Sequence, residues 1–442
     1  MKEIAFNTRT NLNFPHVCNC LSIADVDGDG VHEVIAGSRD GHLAIFKPNS
    51  EEIFNENGLS PYKTASKLGL VSALAVGDLF NRNCPLVTVI SADGACHVFR
   101  ATSPKSELQL CLLQPLQSNI RAAQIVDVDG DFYHELVVGL TDRVMYAPIF
   151  TYMTDNDHAS NDNNWPSGYL IALNKWESPT LITAFSQMFV SPENRNNGVR
   201  IILSQTSQKF VVLEPKLGTD LEMAGDSSTV DRSVRYCQAK KSSGVQARRG
   251  SASKDVDANF VAQDKSTIFM ARNADYVCMF HQPAKRIFLV NDSCEVESVD
   301  HALNLPSMAF SISCLVVPNG YSSVNEPSHD TTSLEFDDPK DDANEKPSSK
   351  KRAFMACDTS GNLSIFDVEN RAPSTSTIDD NFLSLKISDG NLNCFAAALG
   401  HTELQEYTLR CIVAVSTTRS RLFCYTTPWT KISKFLQPPT KT

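Results

Sequence analysis

Short apolar runs separated by polar turns recur along most of the chain, and helical periodicity is nearly absent. The runs are rich in Val, Ile and Phe, which favours strands over helices. Three stretches that begin near residues 21, 74 and 124 share one order: strand, polar turn, strand, tight turn, strand. In two of them the tight turn holds Asp40-Gly41 or Asp93-Gly94, and Asp-Gly between apolar runs is a strong hairpin signal. The pattern predicts an all-β fold built from repeats.

The spacing of these repeats predicts a β-propeller. The first copies begin about 50 residues apart, which suits a four-stranded blade and its connections. A closed ring also removes most of the sheet edges that an open stack would expose. We therefore predict a single propeller over residues 1–442 with about seven blades, in which 4–6 add an outer strand to the last blade. The predicted blades are 20–47, 72–100, 122–150, 181–214, 258–282, 309–367 and 393–429.

Three polar segments interrupt the repeats and are predicted to be disordered loop insertions. They are 154–166, 215–257 and the acidic segment 319–351. Their apolar content is too low to offset the entropy of ordering. Within the second, Ser251 follows two arginines and is a candidate phosphorylation site for a basophilic kinase, although such short motifs also arise by chance.

An acidic turn in the first repeat has the spacing of a metal loop. Asp25, Asp27, Asp29 and Glu33 stand at positions 1, 3, 5 and 9, and the backbone carbonyl of Val31 stands at position 7. Alternate carboxylates with a glycine at position 6 can wrap a hard cation such as Ca²⁺. The bidentate glutamate that closes an EF-hand is missing, so a helical EF-hand loop is excluded.

The third repeat carries a weaker version of the same turn. Asp127, Asp129, Asp131 and Glu135 keep the carboxylates, but Phe132 stands where the first turn has glycine. Aspartate side chains also satisfy backbone amides in tight turns without any metal. Turn formation is the simpler interpretation of both loops, and calcium, scarce in the cytosol, is the alternative. No other cofactor is expected.

No catalytic motif stands out. The chain has no Gly-rich phosphate loop, nucleophile elbow or His-Glu-x-x-His run. His32 and His134 occupy equivalent positions in two repeats, which indicates a shared structural role rather than a catalytic pair. We predict a non-enzymatic binding protein, with no catalytic residues and with partner-binding residues that the pattern does not identify.

Charge and cysteine content narrow the class further. The net charge of -11 argues against a nucleic-acid groove or a basic membrane-binding patch. Thirteen cysteines form no Cys-x-x-Cys pair, which is typical of reduced, buried thiols. The first residues lack the apolar stretch of a signal peptide, and no run reaches the roughly 18 apolar residues of a membrane span. A cytoplasmic location is the expectation.

Four islands of the sequence are distinctive: IVDVDGDFYHELVVGLTDRVMYAP at 125–148, GYLIALNKW at 168–176, GDLFNRNCPLVTVISADGACHVF at 77–99 and CDTSGNLSIFD at 357–367. They resemble the family of integrin-alpha FG-GAP repeat-containing protein 2, and more widely the FG-GAP repeats of integrin α-chain propellers. The first two are the more specific, because the acidic turn, the following strand, the next turn and the later tryptophan come in order.

The resemblance implies a scaffold subunit of a KICSTOR-like complex. Such a subunit would partner with a kaptin-like propeller and other KICSTOR subunits and, indirectly, with a GTPase-activating complex for the Rag GTPases. It would restrain the target-of-rapamycin kinase during amino-acid shortage, from the cytoplasmic surface of the lysosome and without direct membrane insertion. The alternative is a calcium-dependent, integrin-like recognition propeller.

Overall fold

A computed structural model gives the fold of the chain. It describes residues 6, 8–48, 58–102, 107–127, 133–140, 145–146, 149–154, 168–174, 177–178, 182–189, 199–205, 209–213, 234–238, 268–272, 276–281, 286–291, 296–302, 309–316, 352–367, 382–384, 391–402 and 408–433.

The described residues form seven antiparallel sheets of four strands each. Strand β1 (Thr8–Leu12) precedes the first blade. Blade one contains β2 (Cys18–Ala24), β3 (Glu33–Ser38), β4 (Leu43–Phe46) and β5 (Lys63–Ala65). Blade two contains β6 (Val71–Gly77), β7 (Leu86–Ser91), β8 (Ala95–Arg100) and β9 (Gln109–Pro115). Blade three contains β10 (Ile120–Val126), β11 (Glu135–Leu140), β13 (Ile149–Thr154) and β14 (Gly168–Asn174), while β12 (Met145–Tyr146) and β15 (Glu177–Ser178) form a small separate sheet.

The later blades repeat the same order. Blade four contains β16 (Ile182–Phe189), β17 (Val199–Gln205), β18 (Lys209–Leu213) and β19 (Val234–Gln238). Blade five contains β20 (Ile268–Arg272), β21 (Tyr276–His281), β22 (Arg286–Asn291) and β23 (Val296–Ala302). Blade six contains β24 (Ala309–Val316), β25 (Arg352–Asp358), β26 (Asn362–Asp367) and β27 (Phe382–Ser384). Blade seven contains β28 (Leu392–Gly400), β29 (Arg410–Thr417) and β30 (Leu422–Pro428), after which the short helix α1 (Trp429–Ser433) follows.

The blades close into a ring. The first strands of successive blades contact one another in order around the molecule, except that blade four meets blade three through β11, and β28 of the last blade contacts β2 of the first. Each of the first six blades is an antiparallel sheet whose strands follow one another in sequence order, as in a propeller. The predicted all-β propeller of about seven blades is confirmed.

A strand from the start of the chain completes the last blade. Strand β1 pairs antiparallel with β30, from Thr8 opposite Thr426 to Leu12 opposite Leu422. The Arg9 guanidinium lies 4.3 Å from the centre of the Phe423 ring. An outer strand from the N-terminal region is therefore present as expected, but it is formed by residues 8–12. Residues 4 and 5, which the sequence favoured, lie outside the described residues.

The core consists of apolar layers between neighbouring blades. One layer joins blades one and two and another joins blades two and three, and both contain fully buried Val, Leu and Ile side chains. Close approach of the inner strands depends on small residues. At Gly77, for example, a Cβ atom would come within 2.9 Å of the Ile125 side chain, so a larger residue would push the two blades apart.

Strand β19 corrects one prediction. It lies within 215–257, which composition predicted to be disordered, and it pairs with β18 as the outer strand of blade four. A polar segment can form a strand where a neighbouring edge satisfies its backbone. Blades one, two, three, five and six also continue beyond their predicted ends at 47, 100, 150, 282 and 367, through β5, β9, β14, β23 and β27. The rest of 215–257, with Ser251, lies outside the described residues, as do 155–167 and 319–351.

No helix in the part of the chain described above is long and apolar enough to cross a membrane. Nine cysteines whose side chains the structure describes are free thiols, and six of these nine are buried.

Candidate functional site: the acidic turn of blade one

Asp25 organises the turn between β2 and β3. Its carboxylate accepts hydrogen bonds from the amides of Gly28 (2.7 Å) and Gly30 (2.9 Å). Both glycines have positive φ, 79° and 85°, a conformation that other residues adopt only at a cost. The role predicted for Asp25 in satisfying turn amides is therefore present in the structure.

Two further carboxylates are tied to the backbone. Asp29 accepts a hydrogen bond from the Val31 amide at 2.8 Å. Glu33, which is fully buried, accepts one from the Val26 amide at 2.9 Å. Val31, whose carbonyl was a predicted ligand, forms a parallel bridge with His401 of blade seven. The turn is thus fixed by its own amides and by the neighbouring blade.

The ammonium of Lys47 lies among the carboxylates of this turn. Its Nζ is 2.7 Å from Asp27 Oδ2, 2.5 Å from Asp29 Oδ2 and 3.3 Å from Glu33 Oε1. Carboxylate oxygens of Asp25, Asp27 and Asp29 also lie within 4.8 Å of one another, close enough for one metal ion. A calcium ion held by Asp27, Asp29 and Glu33 would have to displace this ammonium. Calcium binding here stays a prediction.

Burial and the contacts with Lys47 shift the pKa values of the charged groups in this turn. Burial alone would lower the pKa of Lys47, but its hydrogen bonds to Asp27 and Asp29 outweigh burial and raise that pKa. Partial burial opposes ionisation of Asp29, yet the Lys47 ammonium lowers the pKa of that carboxyl. Burial raises the pKa of Glu33 to about 8, against the Val26 amide, which lowers it. At neutral pH the cation is therefore shared mainly by Asp27 and Asp29.

Blade two shows which part of the turn is needed for folding. Asp78 accepts hydrogen bonds from the amides of Arg82 (2.9 Å) and Asn83 (2.6 Å), much as Asp25 does in blade one. Asn81 and Asn83 take positive φ, 56° and 54°, where blade one has glycines. The positions of Asp27 and Asp29 hold Phe80 and Arg82. The turn therefore forms without those two carboxylates, which in blade one pair with the Lys47 ammonium.

The acidic loop of blade three differs at the position of the lysine. Strand pairing sets Phe46 opposite Val34 and Phe150 opposite Leu136, so that Thr151 corresponds to Lys47. The predicted ligands Asp129 and Asp131 lie outside the described residues, while Asp127 and the buried Glu135 lie within them. The proposed weaker calcium loop stays a prediction.

Sequence reasoning missed Lys47, although a signal was present. The first two repeats end in Phe46-Lys47 and Phe99-Arg100, which puts a basic residue at the end of the third strand in each case. Because Val34 pairs with Phe46, the neighbouring position brings Lys47 beside Glu33, where opposite charges attract across the two strands.

His32 and His134 connect neighbouring blades. The His32 amide donates to the His401 carbonyl at 2.9 Å, and the His134 amide donates to Asn81 Oδ1 at 2.6 Å. In each case the partner belongs to the preceding blade of the ring, which is blade seven for His32 and blade two for His134. These backbone contacts agree with the structural role expected for the two histidines.

Comparison with known proteins supports the resemblance seen in the repeats. The family model described as integrin-alpha FG-GAP repeat-containing protein 2 matches residues 55–270, which include blades two and three. This chain is similar to integrin-alpha FG-GAP repeat-containing protein 2. KICSTOR complex protein ITFG2 of Mus musculus is 28% identical over 194 residues, which cover 40% of this chain and 40% of the relative. The protein of the same name from Bos taurus is 30% identical over 194 residues, 40% of this chain and 33% of the relative.

The match thus spans two fifths or less of each curated relative. Solved structures agree on the fold. BBS1N, crystallised in complex with ARL6DN and soaked with mercury, superposes with a TM-score of 0.56 at 12% identity, over 96% of this chain and 97% of that one. Sqt1 of Saccharomyces cerevisiae gives 0.51 at 8% identity (97% and 100%), and the Pan2 WD40 domain of Neurospora crassa gives 0.51 at 9% identity (97% and 98%). At such identities these likenesses show the propeller fold alone.

Proposed function

We propose that this chain is a non-enzymatic scaffold subunit of a KICSTOR-like complex. The observation that carries the proposal is the match of residues 55–270 to the integrin-alpha FG-GAP repeat-containing protein 2 family, together with two curated relatives that are named as KICSTOR complex proteins. In this role the chain binds a kaptin-like propeller and other subunits. It acts in the cytoplasm and at the lysosomal surface, where the complex restrains target-of-rapamycin kinase signalling during amino-acid shortage through a Rag GTPase-activating complex.

The outer edge of blade two offers a surface suited to a protein partner. Leu110 and Leu113 in β9 are 48% and 57% exposed. They are three residues apart, and a register shift between Val98 and Phe99 inserts an extra residue into β9 between them. A bulge of this kind changes the alternation of a strand, which explains why two leucines at odd spacing are both exposed.

The same edge continues onto blade three. The Gln114 side-chain amide donates to the Leu170 carbonyl (2.9 Å) and accepts from the Leu170 amide (2.7 Å). Tyr169, the neighbour of Leu170, is 48% exposed. Exposed apolar side chains grouped on one surface often mark a protein interaction site, and tyrosine is enriched among the residues that carry binding energy. We place the partner contact at this edge, defined by Leu110, Leu113 and Tyr169, which lies inside the family match.

Affinity purification tests the proposal. The tagged chain, expressed in cells of its source organism, should recover the other subunits of a KICSTOR-like complex, identified by mass spectrometry. Recovery of the chain alone, in both fed and amino-acid-starved cells, would contradict the proposal.

A second candidate is a calcium-dependent recognition propeller. It is favoured by the grouping of Asp25, Asp27 and Asp29, whose carboxylate oxygens lie within 4.8 Å of one another. The Lys47 ammonium beside Asp27 and Asp29 makes it the weaker candidate. Titration calorimetry with Ca²⁺ separates the two, because only the second candidate needs a saturable heat of binding.

A further inference from the structure

Two histidines and an aspartate meet at the turn between β3 and β4 of blade one. The Nδ1 atom of His16 lies 2.7 Å from Asp40 Oδ2, and the Nδ1 atom of His42 lies 3.4 Å from the same oxygen. The two imidazole rings are stacked, with centroids 3.8 Å apart and planes at 14°. Three groups that commonly ligate metals therefore converge within 4.8 Å.

The fold brings these side chains together from two segments. His16 belongs to the connection between β1 and β2, while Asp40 and His42 flank Gly41 in the turn between β3 and β4. Gly41 takes a φ of 84°. The His42 amide donates to Ser38 Oγ at 2.8 Å, which closes the turn.

The equivalent turn of blade two shows that the histidine is not needed for folding. There the Ala95 amide donates to Ser91 Oγ at 3.1 Å, and the Ser91 hydroxyl donates to Asp93. Gly94 takes a φ of 94°, as Gly41 does. The serine, aspartate and glycine thus recur, but Ala95 stands at the position of His42. His42 is an addition to a turn that already folds.

The Nδ1 atom of His42 lacks a hydrogen-bond partner among the described residues. His42 Nδ1 is buried and makes no hydrogen bond of acceptable geometry within the described residues. A ring nitrogen without a partner is costly to bury, and a cation would satisfy it. The cluster is nonetheless accessible, because the side chains of His16, His42 and Asp40 are 25%, 40% and 55% exposed. His16 and His42 also line a surface cavity of about 560 Å³.

The ligand set suits a first-row transition ion. Imidazole and carboxylate ligands bind Zn²⁺ at about 2.0–2.1 Å, and a tetrahedron of that size separates neighbouring ligand atoms by about 3.3 Å. The 3.4 Å between His42 Nδ1 and Asp40 Oδ2 already fits, whereas the 2.7 Å from His16 must lengthen. Because a metal lies in the plane of each ring that ligates it, the two rings must also tilt out of their stack.

We propose that His16, Asp40 and His42 form a binding site for a divalent transition-metal ion such as Zn²⁺, with water in the fourth position. Bound metal joins the segment after β1 to the first hairpin of blade one. The site is separate from the acidic turn and independent of the proposed scaffold function.

Cobalt titration tests the site directly. The full chain, purified with a chelator and then dialysed, should bind about one equivalent of Co²⁺ with the visible absorption of a tetrahedral complex, and Zn²⁺ should displace it. His42→Ala, which installs the blade-two residue, and Asp40→Asn should each lose that absorption. Asp93→Asn changes the equivalent turn aspartate of blade two and should keep it.

Free cysteines are the competing ligands, and X-ray absorption at the zinc edge separates the two cases. The proposal requires a shell of nitrogen and oxygen at about 2.0–2.1 Å, whereas thiolates would lie at about 2.3 Å. A sulfur shell, Co²⁺ absorption that survives in both His42→Ala and Asp40→Asn, or no binding by the folded wild-type chain would each overturn the proposal. Circular dichroism of each variant confirms that it is folded.

Discussion

Replacing Lys47 with methionine tests the reading of the acidic turn. In the wild-type chain Lys47 Nζ lies 4.8 Å from the centre of the Tyr62 ring. Methionine keeps most of the apolar length of the side chain and so can keep contact with that ring. It removes the ammonium that lies 2.7 Å from Asp27 and 2.5 Å from Asp29. The two carboxylates would then face each other without that cation.

The expected loss follows from how deeply the pair is buried. Removing one partner of a fully buried ion pair costs about 3–5 kcal/mol, and exposed pairs contribute about 0–1 kcal/mol. The side chains of Asp27, Lys47 and Asp29 are 9%, 23% and 27% exposed, which places this network between the two limits. We expect Lys47→Met to lower the free energy of unfolding by about 2 kcal/mol. In a chain of this size that corresponds to a few degrees in Tm.

Urea and thermal unfolding measure the loss, and a double-mutant cycle assigns it. Asp27→Asn should destabilise the wild-type chain but should restore part of the stability of Lys47→Met, because it removes the unpaired charge. If Lys47→Met unfolds like wild type, or if Asp27→Asn has the same effect in both backgrounds, the ammonium does not hold the turn and the reasoning is refuted.

The effect of Ca²⁺ on the stability of Lys47→Met is an independent test of the same turn. A loop of this type with a Kd of about 10⁻⁴–10⁻³ M would gain about 1.4–2.7 kcal/mol in 10 mM Ca²⁺. Lys47→Met frees the carboxylates and should show such a gain, whereas the blade-one turn of the wild-type chain should not. An equal gain in Asp27→Asn and in wild type would point to a different loop, and blade three, with Thr151 in place of the lysine, is the next to test.

Three further predictions concern stability and calcium. Burial raises the pKa of Glu33 to about 8 in the folded chain, against about 4.5 otherwise. The contribution of this carboxyl to stability is therefore complete below pH 4.5 and is lost as the pH rises to 8. Glu33→Gln should therefore flatten the fall of Tm across this window, and an unchanged slope would contradict the assignment. Leu12 in the closing strand β1 is 2% exposed, and Leu12→Ala should lower the free energy of unfolding in urea by about 2–4 kcal/mol. Replacement of its exposed neighbour, Asn11→Ala, should lower it by under about 0.5 kcal/mol. Equal losses in the two variants would contradict a role for β1 in closing the ring. If wild type shows any Ca²⁺-dependent rise in Tm, Asp129→Asn should abolish it and Asp27→Asn should not, and the reverse outcome would return calcium to blade one.

Local turn chemistry explains why much of the ring was predictable. Asp40-Gly41 and Asp93-Gly94 mark hairpins because only glycine adopts their φ of 84° and 94° without cost. The role of Asp25 in binding turn amides was likewise predictable, since aspartate bonds to amides two to five positions along the chain.

Features that depend on pairing between distant segments were not predictable. Strand β19 (VRYCQ) is a short run inside a polar segment, and the edge of β18 gives its backbone a partner. The register of β3 and β4 brings Lys47 beside Glu33, and this register could not be derived from the sequence alone. His16 meets Asp40 only because β1 pairs with the last blade and returns the chain to blade one.

The scaffold proposal is tested most directly by co-expression with a kaptin-like propeller. We predict a stable complex with the wild-type chain and loss of that complex on double replacement, Leu110→Glu with Leu113→Glu, on the outer edge of blade two. The matched control is Leu70→Glu, a leucine of similar exposure (44%) elsewhere on the surface, which should leave the complex intact. Failure of the wild-type chain to co-purify would contradict the scaffold proposal. A complex that survives the double replacement would place the contact on another surface of the ring.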